Sequence, residues 1–161
     1  MPDPIAQARQ LWSDHGWSDA ALGMTAVTSL MRAQAIALKR VETTLKPFDI
    51  TFARYEVLML LTFSQRGSLP MSLIGERLQV HQSSVTNAVQ RLEQAGLVNR
   101  SVRPDDRRAY VVTLTSRGRT LAERATAALN ASVFADPGLP PARAEALVDI
   151  LADLRHTAGD F

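Results

Sequence analysis

A mainly α-helical fold carrying one small β-hairpin is predicted by three observations. Apolar residues recur with a period near 3.6 towards both ends of the chain, the period drops to 2 between Leu97 and Leu114, and a turn rich in Pro and Asp divides that stretch. The chain has 161 residues, 46% hydrophobic and 21% charged, enough for one domain with a sizeable core and too ordinary for a disordered or fibrous protein.

From Asp19 to Lys46 the residues Met24, Val27, Met31, Gln34, Leu38, Val41 and Leu45 recur at alternating steps of three and four, the seam of a heptad-like helix that Pro47 ends. Thr51 is the N-cap of a second helix through Tyr55, Val57, Leu58, Leu60 and Leu61, and Arg66-Gly67-Ser68 closes it with a loop. A short helix from Ser72 to Gln79 turns Leu73, Ile74 and Leu78 inward. After a tight connection at Val80-His81, a further helix runs from Gln82 to Gln94, and Gly96 stops it where a left-handed residue is needed. Strands follow at 97–102 and 110–114, separated by the solvated turn Arg103-Pro104-Asp105-Asp106-Arg107-Arg108. Thr115 caps a helix to Phe134, and a last helix after Pro140-Pro141 places Leu147, Ile150, Leu151 and Leu154 on one face.

Helix, tight turn, helix, hairpin is the order of a winged helix-turn-helix, so residues 51–115 read as a DNA-binding region. Residues 1–50 and 116–161 read as a helical dimerisation region of the same continuous domain, because a lone reading head needs no apolar seams at both chain ends. On the helix after the tight turn, Val85, Ala88, Val89 and Leu92 share one face. Ser83, Thr86, Asn87, Gln90 and Gln94 share the opposite one. That outer face is polar yet uncharged, which suits hydrogen bonding to base edges, and the Thr86 methyl suits a thymine methyl. Gln82 opens the helix, while Ser84 and Arg91 flank the face within reach of phosphates.

Net charge is only +2, but its distribution is uneven. Between Arg77 and Arg119 eight arginines face three acids, whereas the other 118 residues carry an excess of three acids. Such a local basic patch attracts a phosphate backbone. Arg107 and Arg108 at the hairpin tip suit a narrow minor groove, with Asp105 and Asp106 holding them in position.

Catalysis is not expected. The chain has no Cys, and His15, His81 and His156 lack metal-ligand spacing. No phosphate-cradling glycine loop is present and Ser83-Ser84 lacks a nucleophile-elbow frame, so neither metal nor cofactor is expected. The start Met1-Pro2-Asp3-Pro4-Ile5 is not a secretory signal and no run approaches 18 uninterrupted apolar residues, so a cytoplasmic protein without a membrane partner is expected. The alternative reading is a helical dimeric scaffold that does not read DNA sequence.

The run from Gln82 to Val98 (QSSVTNAVQRLEQAGLV), together with Asp105-Asp106-Arg107-Arg108-Ala109 and Leu114-Thr115-Ser116-Arg117-Gly118, resembles the MarR family of bacterial transcription factors over roughly residues 20–155. The resemblance implies a homodimer whose terminal helices pack together, two reading heads on a palindromic operator of double-stranded DNA, and a repressor whose DNA is released by a ligand. It implies that Arg108 enters the minor groove and that Asp106 orients it. His81 stands where the family more often has a small hydroxyl, so the cap lacks its usual acceptor.

The segment Leu11-Trp12-Ser13-Asp14-His15-Gly16-Trp17 resembles a branch with an extra N-terminal helix, which includes urate-responsive and aconitate- or citrate-responsive regulators. That likeness implies a ligand site at Trp12, Glu56 and Arg100. Ala88 stands where the urate-responsive members have an Arg, and Thr51-Phe52-Ala53-Arg54-Tyr55-Glu56 is closer to the aconitate-responsive wording. The implied effector is therefore a small anion, citrate or aconitate, paired with Arg100 and walled by an indole.

Overall fold

Helix boundaries follow the capping chemistry. In the computed structural model, which describes residues 1–102 and 109–161, the chain forms two compact units, 1–43 and 44–161. In the first, Asp3 accepts a hydrogen bond from the Ile5 amide and starts α1 (Pro4–Asp14), the helix expected ahead of the long one. Trp12 and Trp17 meet edge to face with ring centroids 5.0 Å apart, and His15 lies 5.7 Å from Trp17.

The long helix α2 (Ser18–Leu45) carries the heptad-like seam, of which Val27, Met31 and Leu38 are exposed. By length and composition the helical stretch 18–48 would also suffice to cross a membrane. Arg32 at its midpoint opposes that, since an Arg at a bilayer centre costs ~2.5–3.5 kcal/mol on insertion scales.

The second unit is built around the winged helix. After one 3-10 turn at Lys46–Phe48, Thr51 accepts from the Arg54 amide and starts α3 (Phe52–Phe63), which buries Tyr55, Val57, Leu58 and Leu61. The residues read from sequence as a plain loop contain a strand, β1 (Ser68–Pro70). Three residues are too few to show a period, and Pro70 argues against a strand except at a sheet edge. Tertiary pairing makes it one. Next come α4 (Met71–Leu78) and α5 (Gln82–Gln94), then β2 (Val98–Val102) and β3 (Tyr110–Leu114).

The sheet is antiparallel in the order β1-β3-β2, with Leu69 opposite Val112 and Arg100 opposite Val112 on the other side. Leu58, Leu61, Ile74, Val85, Val89 and Val112 are among the core side chains with almost no exposed surface. The last two helices are α6 (Ser116–Leu129) and α7 (Pro141–Thr157). α6 continues to Phe134 as expected, but its last turn, Asn130–Phe134, widens to a π-helix.

The junction between sheet and α6 explains the Leu114–Gly118 wording. Thr115 Oγ1 accepts from the Gly118 amide at 3.0 Å and lies 2.9 Å from the Gly96 carbonyl, so one hydroxyl caps α6 and ties it to the end of α5. A Cβ on Gly118 would fall 2.0 Å from the Leu97 carbonyl oxygen, a distance no side chain tolerates. Only glycine lets the first turn of α6 rest on the chain leaving α5.

Candidate nucleic-acid interface

Helix α5, the expected recognition helix, is seated by its apolar face. Val85, Val89 and Leu92 are buried to 1% exposure or less, and Gly75 on α4 permits the close approach, since a Cβ there would lie 3.3 Å from both Val85 and Gln82. The helix is started by an unusual cap. His81 has extended backbone, and its Nδ1 accepts from the Ser83 amide at 3.3 Å while lying 2.8 Å from Ser83 Oγ. The imidazole thus supplies the acceptor that the missing small hydroxyl would have provided.

With the apolar face buried, Ser83, Asn87 and Gln90 are exposed, as are Gln82, Ser84 and Arg91. Thr86 is half-buried and its hydroxyl donates to the Gln82 carbonyl at 2.9 Å, which leaves a methyl group and oxygen lone pairs for a partner. The sequence-derived reading face is therefore gathered on one side of one rigid helix. Asp106, Arg107 and Arg108 lie outside the described residues.

Of the three residues singled out for a ligand, Glu56 and Arg100 lie in the second unit and no described contact joins them. Arg100 is engaged within the reading head: its Nε is 3.5 Å from the Glu93 carboxylate, and its guanidinium stands 4.9 Å from the centre of the Tyr110 ring. This arrangement ties the end of α5 to both hairpin strands. Glu56 on α3 is half-buried, and burial raises its carboxyl above the usual range. No hydrogen bond or ion pair links Glu56 to Arg100 among the described residues. Trp12 belongs to the first unit and is half-buried.

One feature escaped sequence reading. A cleft of about 430 Å³ separates the start of α3 from the flank of α5 and is lined by Thr51, Arg54, Ser83, Ser84 and Asn87. Arg54 carried no periodic signal, because it matters through a neighbour some thirty residues away in sequence. A second, smaller groove of about 290 Å³ lies between α3 and α6 at Met59, Thr62, Glu123 and Thr126. There the Thr126 hydroxyl lies 3.0 Å from the Tyr55 hydroxyl.

The chain is similar to known regulators. The profile of the MarR family matches residues 50–110. The HTH-type transcriptional repressor Rv2887 of Mycobacterium tuberculosis is 32% identical over 114 residues, covering 71% of this chain and 78% of the relative. Several other curated relatives are matched over only about half their length, 55%, 58% and 51%.

Among solved structures, Sco5413, a MarR family transcriptional regulator from Streptomyces coelicolor, is 47% identical with a TM-score of 0.79, covering 86% of this chain and 96% of that one. BpsR of Bordetella bronchiseptica, whose DNA binding is regulated by 6-hydroxynicotinic acid, is 27% identical with a TM-score of 0.70 over 79% of this chain and 90% of its own. A capped recognition helix, a three-stranded wing and this degree of identity across nearly the whole of a solved regulator lead to one conclusion: the chain belongs to the MarR family of transcriptional regulators.

Proposed function

We propose that this chain is a DNA-binding repressor that holds a palindromic operator as a homodimer and releases it when a small anion binds. The observation that carries the reading is the exposed, uncharged polar face of α5, held rigid by a fully buried apolar face. Ser83, Thr86, Asn87 and Gln90 read base edges in the major groove, while Gln82, Ser84 and Arg91 meet phosphates. Arg107 and Arg108, oriented by Asp106, enter the adjacent minor groove. A protein of this kind works in the cytoplasm, where its DNA is.

Two unpartnered surfaces support dimerisation. α7 buries none of its residues within the chain and exposes Leu147, Val148, Ile150 and Leu154. On α2, Val27, Met31 and Leu38 are exposed along the seam. A second copy covers such faces and sets two reading heads about 34 Å apart, one helical turn of DNA. The name of Rv2887 favours repression.

For the effector, α1 supports the branch with an extra N-terminal helix, and BpsR is a precedent for control of DNA binding by a small acid. Trp12, Glu56 and Arg100 form the proposed site for citrate or aconitate. Arg100 would have to exchange Glu93 for the ligand, which couples occupancy to the end of α5 and lets the anion favour one head spacing.

Fluorescence anisotropy on the DNA upstream of the coding sequence and on a scrambled duplex, across a salt series and with citrate or trans-aconitate, tests the reading. Preference for the upstream duplex that the anion relieves is the expected result. Equal, weak binding to both duplexes, unchanged in Arg108→Ala, would instead indicate the helical scaffold.

A further inference from the structure

The cleft between α3 and α5 opens at the edge of the reading face and shares Ser83 and Asn87 with it. Taking Ser83, Asn87 and Gln90 as the centre of that face, the row Ser84, Ala88, Arg91 runs along one flank at helical steps of four and three. Across the cleft from Ser84 and Ala88 stands Arg54, half-buried at the start of α3. No carboxylate pairs with Arg54 among the described residues, so its charge is available.

The cleft is lined by small side chains and hydroxyls with no aromatic wall, which suits an oxyanion better than a drug-sized organic ligand. Arg91 lies seven residues beyond Ser84, about 10 Å along the axis at 1.5 Å per residue, and supplies a cation at the far end of the same flank. The face between them is neutral.

We infer that Arg54, with the Thr51 and Ser84 hydroxyls, grips a backbone phosphate of the bound duplex and fixes the register in which α5 enters the groove. This rests on the reading of α5 as the recognition helix. Arg54 is a positioning residue: it carries no base information, so its loss acts alike on every sequence.

The test is anisotropy of the full chain on upstream and scrambled duplexes across a salt series, comparing wild type, Arg54→Gln, Arg54→Lys and, as a control for lost charge elsewhere, Arg143→Gln on exposed α7. Losing one phosphate contact lowers the slope of log affinity against log salt by about 0.9. Arg54→Gln is expected to show that drop and to lose roughly tenfold in affinity on both duplexes, with Arg54→Lys keeping most of both and Arg143→Gln unchanged. A wild-type slope in Arg54→Gln overturns the inference. So does normal DNA binding with loss of the response to citrate, which would make the cleft an effector site. A wild-type protein that shows no salt-dependent duplex binding overturns the recognition-helix reading itself, and is told apart because it does not involve the variants.

Discussion

α5 and α7 are both amphipathic helices, of 13 and 17 residues, yet they end differently. α5 places Val85, Val89 and Leu92 in a core that its own chain completes, while α7 leaves Leu147, Ile150 and Leu154 in contact with solvent. The difference separates two kinds of information. A face buried within the chain fixes the position of the opposite face, whereas an exposed apolar face leaves surface for the proposed second copy to cover.

Breaking the closed region should cost most. Gly118→Ala forces a methyl group onto the Leu97 carbonyl at the joint between α5, the wing and α6, and overpacking that only backbone shifts relieve costs ~1–3 kcal/mol or more. We expect a drop in Tm larger than for any other single change discussed, with loss of DNA binding, measured by thermal melting and anisotropy together.

The open region should behave in the opposite way. Ile150→Asp sits at 65% exposure, so the folded chain should tolerate it while the homodimer does not. Light scattering should then report a monomer whose helical circular dichroism is retained. A dimer that persists would mean that α7 is not the covered face.

A smaller effect sharpens the role of the cap. Thr115→Ala removes one hydroxyl that serves both α6 and the Gly96 carbonyl, and loss of an N-cap typically costs ~1 kcal/mol. Chemical denaturation should show it as a lowered midpoint with unchanged slope, and Thr115→Ser should restore most of it.

The smallest change concerns Glu56. Burial raises its folded pKa, so the unfolded state releases the proton first, and its contribution to stability is full below the unfolded pKa and declines as pH rises through the folded one. Glu56→Gln should therefore raise Tm slightly at pH 7, with the gain vanishing as pH falls towards 4.5. A gain independent of pH would assign the effect to packing instead of charge.

Much of this protein is legible from local chemistry. The starts of α3 and α6 follow from Thr51 and Thr115, the span of α5 from its period and from Gly96, and the pairing of β2 with β3 from alternation on either side of the turn. These signals lie within one element or between sequence neighbours. The exposed polar face of α5, proposed as the reading face, was visible for the same reason, since helical geometry alone sorts Ser83, Asn87 and Gln90 away from Val85 and Val89.

What the tertiary structure alone decided has its cause in another element. β1 exists because Leu69 finds Val112, although three residues around a proline carry no strand signal of their own. His81 became a competent cap because its ring reaches the Ser83 amide, a matter of side-chain geometry and not residue class. Arg100 is held by Glu93 and Tyr110, and Arg54 faces Ser84 across a cleft; both placements depend on how separate elements pack. Period and capping chemistry are written residue by residue, whereas contacts between elements are set only when the core closes and brings distant side chains to one place.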